Sequence, residues 1–450
     1  YWQNVNKLTK LKVRIALDNR LHSINEIYKL ENLFRKSQSS IVYLNDNPID
    51  ELWIKKPAYP NSKIFDHPLR FSGKSRNKKI NNFQSYLRKK NINYYILSSL
   101  DSIAWLLNIR GNDIEHTPLA FAYLLIPNKG KLILFCSINK IEKNLFNQIK
   151  NLCILKKFKD IEEVFKGFSQ SKLVGMDYNN TPNYFKDLSN KNGLLTRNLT
   201  NPIIVLKAIK NVIELRGAKK ANIRDGVSIV KFIYWLKKIK DLSQVTELKV
   251  AKYLYKLRKK NKLFYSLSFD TISAVGHHSA LPHYRVTKNT DIKLKKNNIY
   301  LVDSGGQYKD GTTDITRTII LGNSDEEKKD RFTRVLKGHI AIATHYFKFG
   351  TKGSDIDYLA RKSLSEINCD YDHGTGHGIG SFLNVHEGPQ RIAKKSEIKS
   401  EKIMKGMIIS NEPGYYKENH YGIRIENLLT VKRKNLNKLQ FETISFAPID

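Results

Sequence analysis

The sequence predicts a mixed α/β chain of more than one domain, and three observations predict it. The 450 residues, 40% hydrophobic and 10% aromatic, suffice for two or three buried cores of ordinary size. Short apolar runs bounded by turn residues alternate with longer stretches of helical spacing. Gly and Pro, at 24 and 12, stand near or below ordinary usage, which excludes collagen-like and low-complexity chains.

In chain order, the first 70 or so residues are polar and mixed. They close on Lys56-Pro57-Ala58-Tyr59-Pro60 and Asp66-His67-Pro68, which read as a linker. Helical spacing runs from about Gly73 to Lys90, followed by strand-like runs at Tyr94-Tyr95-Ile96-Leu97, Leu119 to Ile126 and Lys131 to Phe135. Together these predict a mixed α/β unit over residues 71–205. A long helix then extends to about Lys240 on the apolar positions Ile213, Ile229, Phe232, Ile233 and Leu236. A second helix spans roughly Val245 to Arg258, and strands, turns and glycines fill most of the remainder of a region 206–450.

The charge balance, 78 Lys+Arg against 42 Asp+Glu, leaves +36. A basic face of that size binds phosphates by counterion release, but these lysines are spread through every segment. With no helix-turn-helix, RNP-like or zinc-finger pattern, a solvated surface is expected and no specific nucleic-acid partner. Cys136, Cys153 and Cys369 are odd in number and widely spaced, which argues against a disulfide framework. No run approaches the roughly 20 apolar residues of a membrane helix. A soluble, cytoplasmic protein is expected, and a start at Tyr1 with a stop at Asp450 suggests a piece of a longer chain.

Nine of the twelve histidines follow residue 270, where the glycine-rich motifs also lie. In Leu301-Val302-Asp303-Ser304-Gly305-Gly306 and Asp310-Gly311-Thr312-Thr313-Asp314-Ile315-Thr316-Arg317, an apolar strand ends in an acid, turns, and returns carrying another. A hairpin tip near Tyr308 would set Asp303 opposite Asp314. The Asp310-Gly311 pair argues for a later tip, with a bulge at Gly305-Gly306 restoring the register. The design repeats in Ser410-Asn411-Glu412-Pro413-Gly414 and Gly422-Ile423-Arg424-Ile425-Glu426, whose midpoint falls in Glu418-Asn419-His420, so that Glu412 faces Glu426. Like charges across a strand pair are destabilising, and four converging acids call for neutralising cations, which a pair of divalent ions supplies.

Glycine at every second position of His373-Gly374-Thr375-Gly376-His377-Gly378-Ile379-Gly380 excludes a helix. In an extended chain His373, Thr375, His377 and Ile379 share a face and the glycine face admits a close neighbour. The two histidines then stand about 13 Å apart, too far to share a metal, so one is expected as a ligand and the other at the substrate. His283, in Leu281-Pro282-His283-Tyr284, and His386, in Val385-His386-Glu387-Gly388, sit in suggestive settings, although each taken alone reads as a surface or hydrogen-bonded loop histidine.

This set of motifs resembles the metal-dependent pita-bread aminopeptidases, most closely the aminopeptidase P (Xaa-Pro aminopeptidase) branch. The resemblance covers the chain from about residue 206 and extends upstream through Leu100-Asp101-Ser102-Ile103-Ala104-Trp105-Leu106-Leu107-Asn108-Ile109-Arg110-Gly111. It implies a C-terminal pita-bread (creatinase/aminopeptidase) domain over 206–450, a creatinase-N-like α/β domain over 71–205, and the remnant of another domain over 1–70. By the same resemblance Asp303 is a ligand of one metal, His377 and Glu412 are ligands of the other, and Asp314 and Glu426 bridge the two. His283, His373 and His386 match histidines of the substrate site, and Arg424 a residue behind the last ligand.

Four carboxylates and an imidazole suit Mn²⁺, with Co²⁺ and Zn²⁺ as alternatives. The expected reaction is release of the N-terminal residue from peptides with proline at position two. Glu412 is expected to shuttle the proton, and His283 and His386 to hold the substrate carbonyl and the oxyanion. Family resemblance suggests a homodimer. The competing expectations are a prolidase confined to dipeptides, a methionine aminopeptidase, and a non-catalytic pita-bread binding module.

Overall fold

The computed structural model describes residues 12–35, 39–44, 46–395 and 401–450. Parts of the polar N-terminal stretch read above, at 1–11, 36–38 and 45, lie outside the described residues. The chain divides into two compact units. One holds the residues up to Asp66 with Ser75–Asp113 and Leu119–Ile203; the other holds His67–Lys74, Ile114–Pro118 and Ile204–Asp450.

In the first unit a mixed six-stranded sheet runs in the order Leu195–Asn198, Leu173–Met176, Tyr94–Leu97, Tyr123–Pro127, Leu132–Phe135, Cys153–Lys156. Its buried residues Ile96, Leu125, Phe135, Val174 and Met176 share one core with Phe165 and Phe185 from the covering helices. The apolar run expected to be a strand from Leu119 begins pairing only at Tyr123. Asp113 captures the residues before it, its N–H donating to the Leu119 carbonyl and its Oδ2 accepting from the Phe121 N–H. The Ile24–Phe34 helix opens on a Ser23/Glu26 capping box and sends Ile24 into the same core.

The second unit carries the histidines and acids. Its long helix, Val212–Lys238, starts at a capping box of Asn211 and Glu214 and buries Ile229, Phe232, Ile233 and Leu236. Those side chains pack with Val250 and Leu254 of the Glu247–Lys259 helix against Tyr300, Val302, Ile315 and Ile319 of two strands. The strands belong to an antiparallel sheet ordered Ile272–Val275, Asn298–Ser304, Ile315–Leu321. A second antiparallel sheet, ordered Tyr346–Lys348, Lys438–Thr443, Asn427–Arg433, Ile408–Asn411, packs its own core with Ile342 of the Glu326–Ala343 helix.

Register decides where the acids go. The first hairpin keeps one register from Asn298↔Leu321 to Tyr308↔Gly311, so its tip is Lys309-Asp310 and no bulge interrupts it at Gly305-Gly306. Asp303 therefore faces Thr316, and Asp314 lies two residues along on the same face, a diagonal neighbour instead of the direct partner expected from a tip at Tyr308. In the second hairpin Asn411↔Asn427 and Gly414↔Arg424 bracket Glu412 and Glu426 in a single register, which sets the two glutamates opposite each other. The His373–Gly380 segment is not the single extended run expected: the chain bends at His373 and Thr375, Gly376–His377 pairs with Arg391–Ile392, and Gly378 bridges Ile409.

Candidate metal centre

His283, Asp303, Asp314, His373, His377, His386, Glu412, Arg424 and Glu426 all line one cavity of about 760 Å³. Side-chain alternation explains the convergence. Strand neighbours point to opposite faces, so the diagonal pair Asp303 and Asp314 and the opposed pair Glu412 and Glu426 project to one side. His377 is brought to them by glycine: a Cβ on Gly376 would collide with the Ser410 carbonyl oxygen. The close approach lets the His377 N–H donate to Ser410 Oγ at 2.9 Å, and that hydroxyl donates to Glu412 Oε1 at 2.8 Å. Gly376→Ala is expected to destabilise the protein by about 1–3 kcal/mol and to displace His377, since the obstacle is backbone; a lower melting temperature checks it.

The electrostatics of this cluster are strained. Asp303, Asp314 and Glu426 are 8%, 3% and 1% exposed. Burial, then Glu426, Asp303 and Glu412, raise the Asp314 carboxyl well above the usual range, and Glu426 is raised by burial, Glu412 and Asp303. Burial lifts Glu412 to about 7 against the opposing pull of Arg424. Burial likewise holds the His377 imidazole down at about 4. Its neutral ring donates from Nδ1 to the Gly378 carbonyl at 3.0 Å, which leaves an Nε2 lone pair 3.3 Å from Glu412 Oε1 and 3.5 Å from Asp314 Oδ2. These short contacts are therefore not ion pairs.

A lone pair aimed at carboxylates is the arrangement of ligands around a cation. The unpartnered oxygens agree: Asp303 Oδ1 and Glu426 Oε1 are buried without a hydrogen-bond partner, while their sister oxygens accept from Arg424 Nη2 at 2.7 Å and Thr316 Oγ1 at 2.7 Å. Ligand atoms of Asp314, His377 and Glu426 all lie within 4.8 Å of one another. The donor set thus fits divalent cations, with the hard oxygens in the majority.

Other readings of the motifs need amendment. Thr375, expected beside the two histidines, is fully buried and bonds Asp357 and Tyr371 instead. Both nitrogens of His373 are occupied: Nδ1 donates to the Gly374 carbonyl at 2.9 Å, and Nε2 accepts from the Tyr416 hydroxyl at 2.9 Å. Tyr416 in turn accepts from Arg424 Nη1 at 2.6 Å. A substrate hydrogen bond to His373 would have to displace one of these partners. His386 stacks edge-on to His377 with ring centroids 4.4 Å apart, and burial holds its imidazole down at about 4.

Sequence reasoning missed Ser410, Thr316 and Tyr416, which hold the acids and His373. Alternation offers the signal for two of them, since Ser410 and Thr316 each stand two residues from a candidate ligand. The cavity also presents Phe269, Ile272 and Pro282 as an apolar wall, with Asp372 and Arg391 further around it.

Residues 216–433 match the model of metallopeptidase family M24, and residues 55–214 match that of the creatinase/prolidase N-terminal domain. A probable Xaa-Pro aminopeptidase P of Laccaria bicolor is 36% identical over 448 residues, covering 97% of this chain and 70% of that protein. Xaa-Pro aminopeptidase 1 of Dictyostelium discoideum is 35% identical over 465 residues, covering 99% of this chain and 73% of its own. The chain belongs to the Xaa-Pro aminopeptidases of metallopeptidase family M24. Among solved structures, X-prolyl aminopeptidase from Caenorhabditis elegans, described as a cytosolic enzyme with a di-nuclear active site, superposes with a TM-score of 0.91 at 30% identity, over 99% of this chain and 74% of that one. A prolidase from Thermococcus sibiricus shares the fold, with a TM-score of 0.68 at 22% identity over 84% of this chain and 98% of that one. These matches bear out the expected creatinase-N and pita-bread architecture and the assignment to a metal-dependent aminopeptidase. Among the described residues, no helix of this M24 chain is long and apolar enough to cross a membrane.

Proposed function

We propose that the chain releases the N-terminal residue from peptides with proline at position two, using two divalent ions, with Mn²⁺ the best suited. The observation that carries this reading is the convergence of buried Asp303, Asp314 and Glu426 with half-buried His377 and Glu412, an imidazole lone pair and two orphaned carboxylate oxygens being left for cations. In this reading Asp303 serves one ion, His377 and Glu412 the other, and Asp314 and Glu426 both. Ions held there would supply Lewis-acid polarisation of the scissile carbonyl and a water acidic enough to react near neutral pH.

The chain's own groups do the rest. Glu412 would take a proton from the attacking water at a carboxylate oxygen and pass it to the proline nitrogen as the peptide bond breaks. His386, neutral at that pH, and His283 donate N–H groups to the substrate carbonyl and to the oxyanion that forms from it. Arg424 holds Asp303 in place at 2.7 Å. Proline offers no N–H to grip and a ring of fixed φ, which the wall of Phe269, Ile272 and Pro282 suits.

A cytoplasmic homodimer completes the proposal, to be checked by light scattering and cell fractionation. The decisive experiment is metal analysis with cleavage of an Arg-Pro-Pro peptide, before and after chelation and with Mn²⁺ added back. Two ions per chain and activity restored by Mn²⁺ are expected; hydrolysis that survives complete metal removal overturns the reading. Comparing Xaa-Pro with Xaa-Pro-Yaa-Zaa substrates separates it from a dipeptidase.

A further inference from the structure

Behind the carboxylates runs a polar chain that the reaction does not use. Asn411 and Asn427 are direct cross-strand partners, each one residue from a cavity-facing glutamate, so their side chains turn to the opposite face. There they meet His339, buried on the Glu326–Ala343 helix. His339 Nδ1 stands 3.1 Å from the Asn411 carbonyl and Nε2 stands 3.1 Å from Asn427 Nδ2, while Asn411 Nδ2 donates to the His339 carbonyl at 2.9 Å. Buried Arg317 closes the chain, donating from Nη2 to Asn427 Oδ1 at 2.8 Å and from Nη1 to the Glu426 carbonyl at 2.7 Å.

Only one polarity satisfies all of these contacts. A guanidinium has donors alone, so Asn427 must turn its oxygen to Arg317 and its amide nitrogen to the imidazole. Nε2 must therefore carry a lone pair, the proton sits on Nδ1, and Nδ1 donates to the Asn411 carbonyl. Any other tautomer or amide orientation sets two donors face to face. The two glutamates form a pair of the ladder whose backbone N–H groups point away from each other: Glu412 N–H donates to the Thr375 carbonyl and Glu426 N–H to the Thr316 carbonyl, while Ile425 N–H donates to the Pro413 carbonyl across the strands.

We infer that His339 is a positioning residue for the metal centre, fixing Glu412 and Glu426 relative to each other by fastening the residue beside each to one imidazole. This rests on the reading that both glutamates hold ions.

Calorimetric titration of metal-free protein with Mn²⁺ tests it. Unchanged protein should take up two ions; failure of that step would sink the reading of the site itself, whatever His339 does. His339→Leu is expected to weaken Mn²⁺ binding by roughly 10-fold, the low end of what losing a direct partner of a metal ligand costs, because His339 holds the residue beside each ligand. His339→Gln, which keeps an acceptor within reach of Asn427, is expected to recover part of that affinity. A merely structural role would lower the melting temperature of the metal-free variants and leave the Mn²⁺ affinity of the folded fraction unchanged. If the leucine variant does not fold, Asn427→Ala carries the same expectation, because it cuts the chain and leaves the imidazole in place. Unaltered Mn²⁺ affinity in any folded variant that breaks the chain overturns the inference.

Discussion

Exchange of Glu426 for Gln is expected to abolish turnover and, at the same time, to stabilise the metal-free protein. The side chain is 1% exposed, its Oε2 accepts from Thr316 at 2.7 Å, and its Oε1 has no partner. Without ions the folded chain must either keep this carboxyl protonated against the solvent or leave it ionised among Asp314, Glu412 and Asp303. Both cost free energy. Gln keeps the shape and the oxygen that Thr316 needs while removing the charge, so the metal-free protein gains stability, and gains more as pH rises. With ions the same exchange removes a carboxylate proposed to serve both. Loss of an outer partner already costs about 10- to 100-fold, so kcat/KM should fall on the order of 10³-fold or more. Thermal melts in chelator and in Mn²⁺, beside Arg-Pro-Pro hydrolysis, check both halves. A variant less stable than the parent under both conditions would show that Glu426 is an ordinary structural acid.

The opposed glutamates were legible because their turn is local: a polar Glu418-Asn419-His420 run at the midpoint, with Asn419 in the left-handed conformation that a tight turn needs, fixes the register by itself. The aspartates were only half legible. Their tip is set from outside the hairpin, where the Val212–Lys238 helix packs on the turn at Gly217 and Arg224 pairs with Asp310. No reading confined to residues 300–318 contains that helix. The Leu119 run failed for the same kind of reason, since it is strand-like in composition but Asp113 claims its backbone groups.

Histidines divide along the same line. His377 announced itself through the glycines that let it approach Ser410. His373 sits in the same motif, yet its engagement by Tyr416 depends on a residue 43 positions away. His339 gave no signal, because its partners Asn411 and Asn427 lie 72 and 88 positions along the chain and nothing near it in sequence is unusual. Helix period and strand alternation are local properties and survive translation into structure. Polar networks that hold a site together are assembled across the fold and do not.

Raising the pH from 6.5 to 8.5 is expected to destabilise the metal-free protein and to widen its gap from the Mn²⁺-loaded form. The sign follows from the direction of each shift. A carboxyl raised in the folded state costs nothing below its unfolded value, near 4.5 for Glu412; its penalty grows from there to the folded value, about 7, and then levels off. Asp314 and Glu426, raised well above the ordinary range, act in the same direction. Histidines oppose them on the acid side: His373, His377 and His386, held down at about 4, are stabilising to leave neutral above 6.5 and lose stability as pH falls through that value. Below 6.5 the two groups work against each other, so the acids show cleanly only above it. Each carboxyl still protonated in the folded state contributes about 1.4 kcal/mol per pH unit until its folded value is passed. Divalent ions replace the protons that the acids would otherwise need, so metal binding strengthens as pH rises. Melts at pH 6.5, 7.5 and 8.5 in chelator and in Mn²⁺ measure the difference. A metal-free melting temperature that stays level or climbs across that range would mean that the four acids do not repel one another in solution as their burial requires.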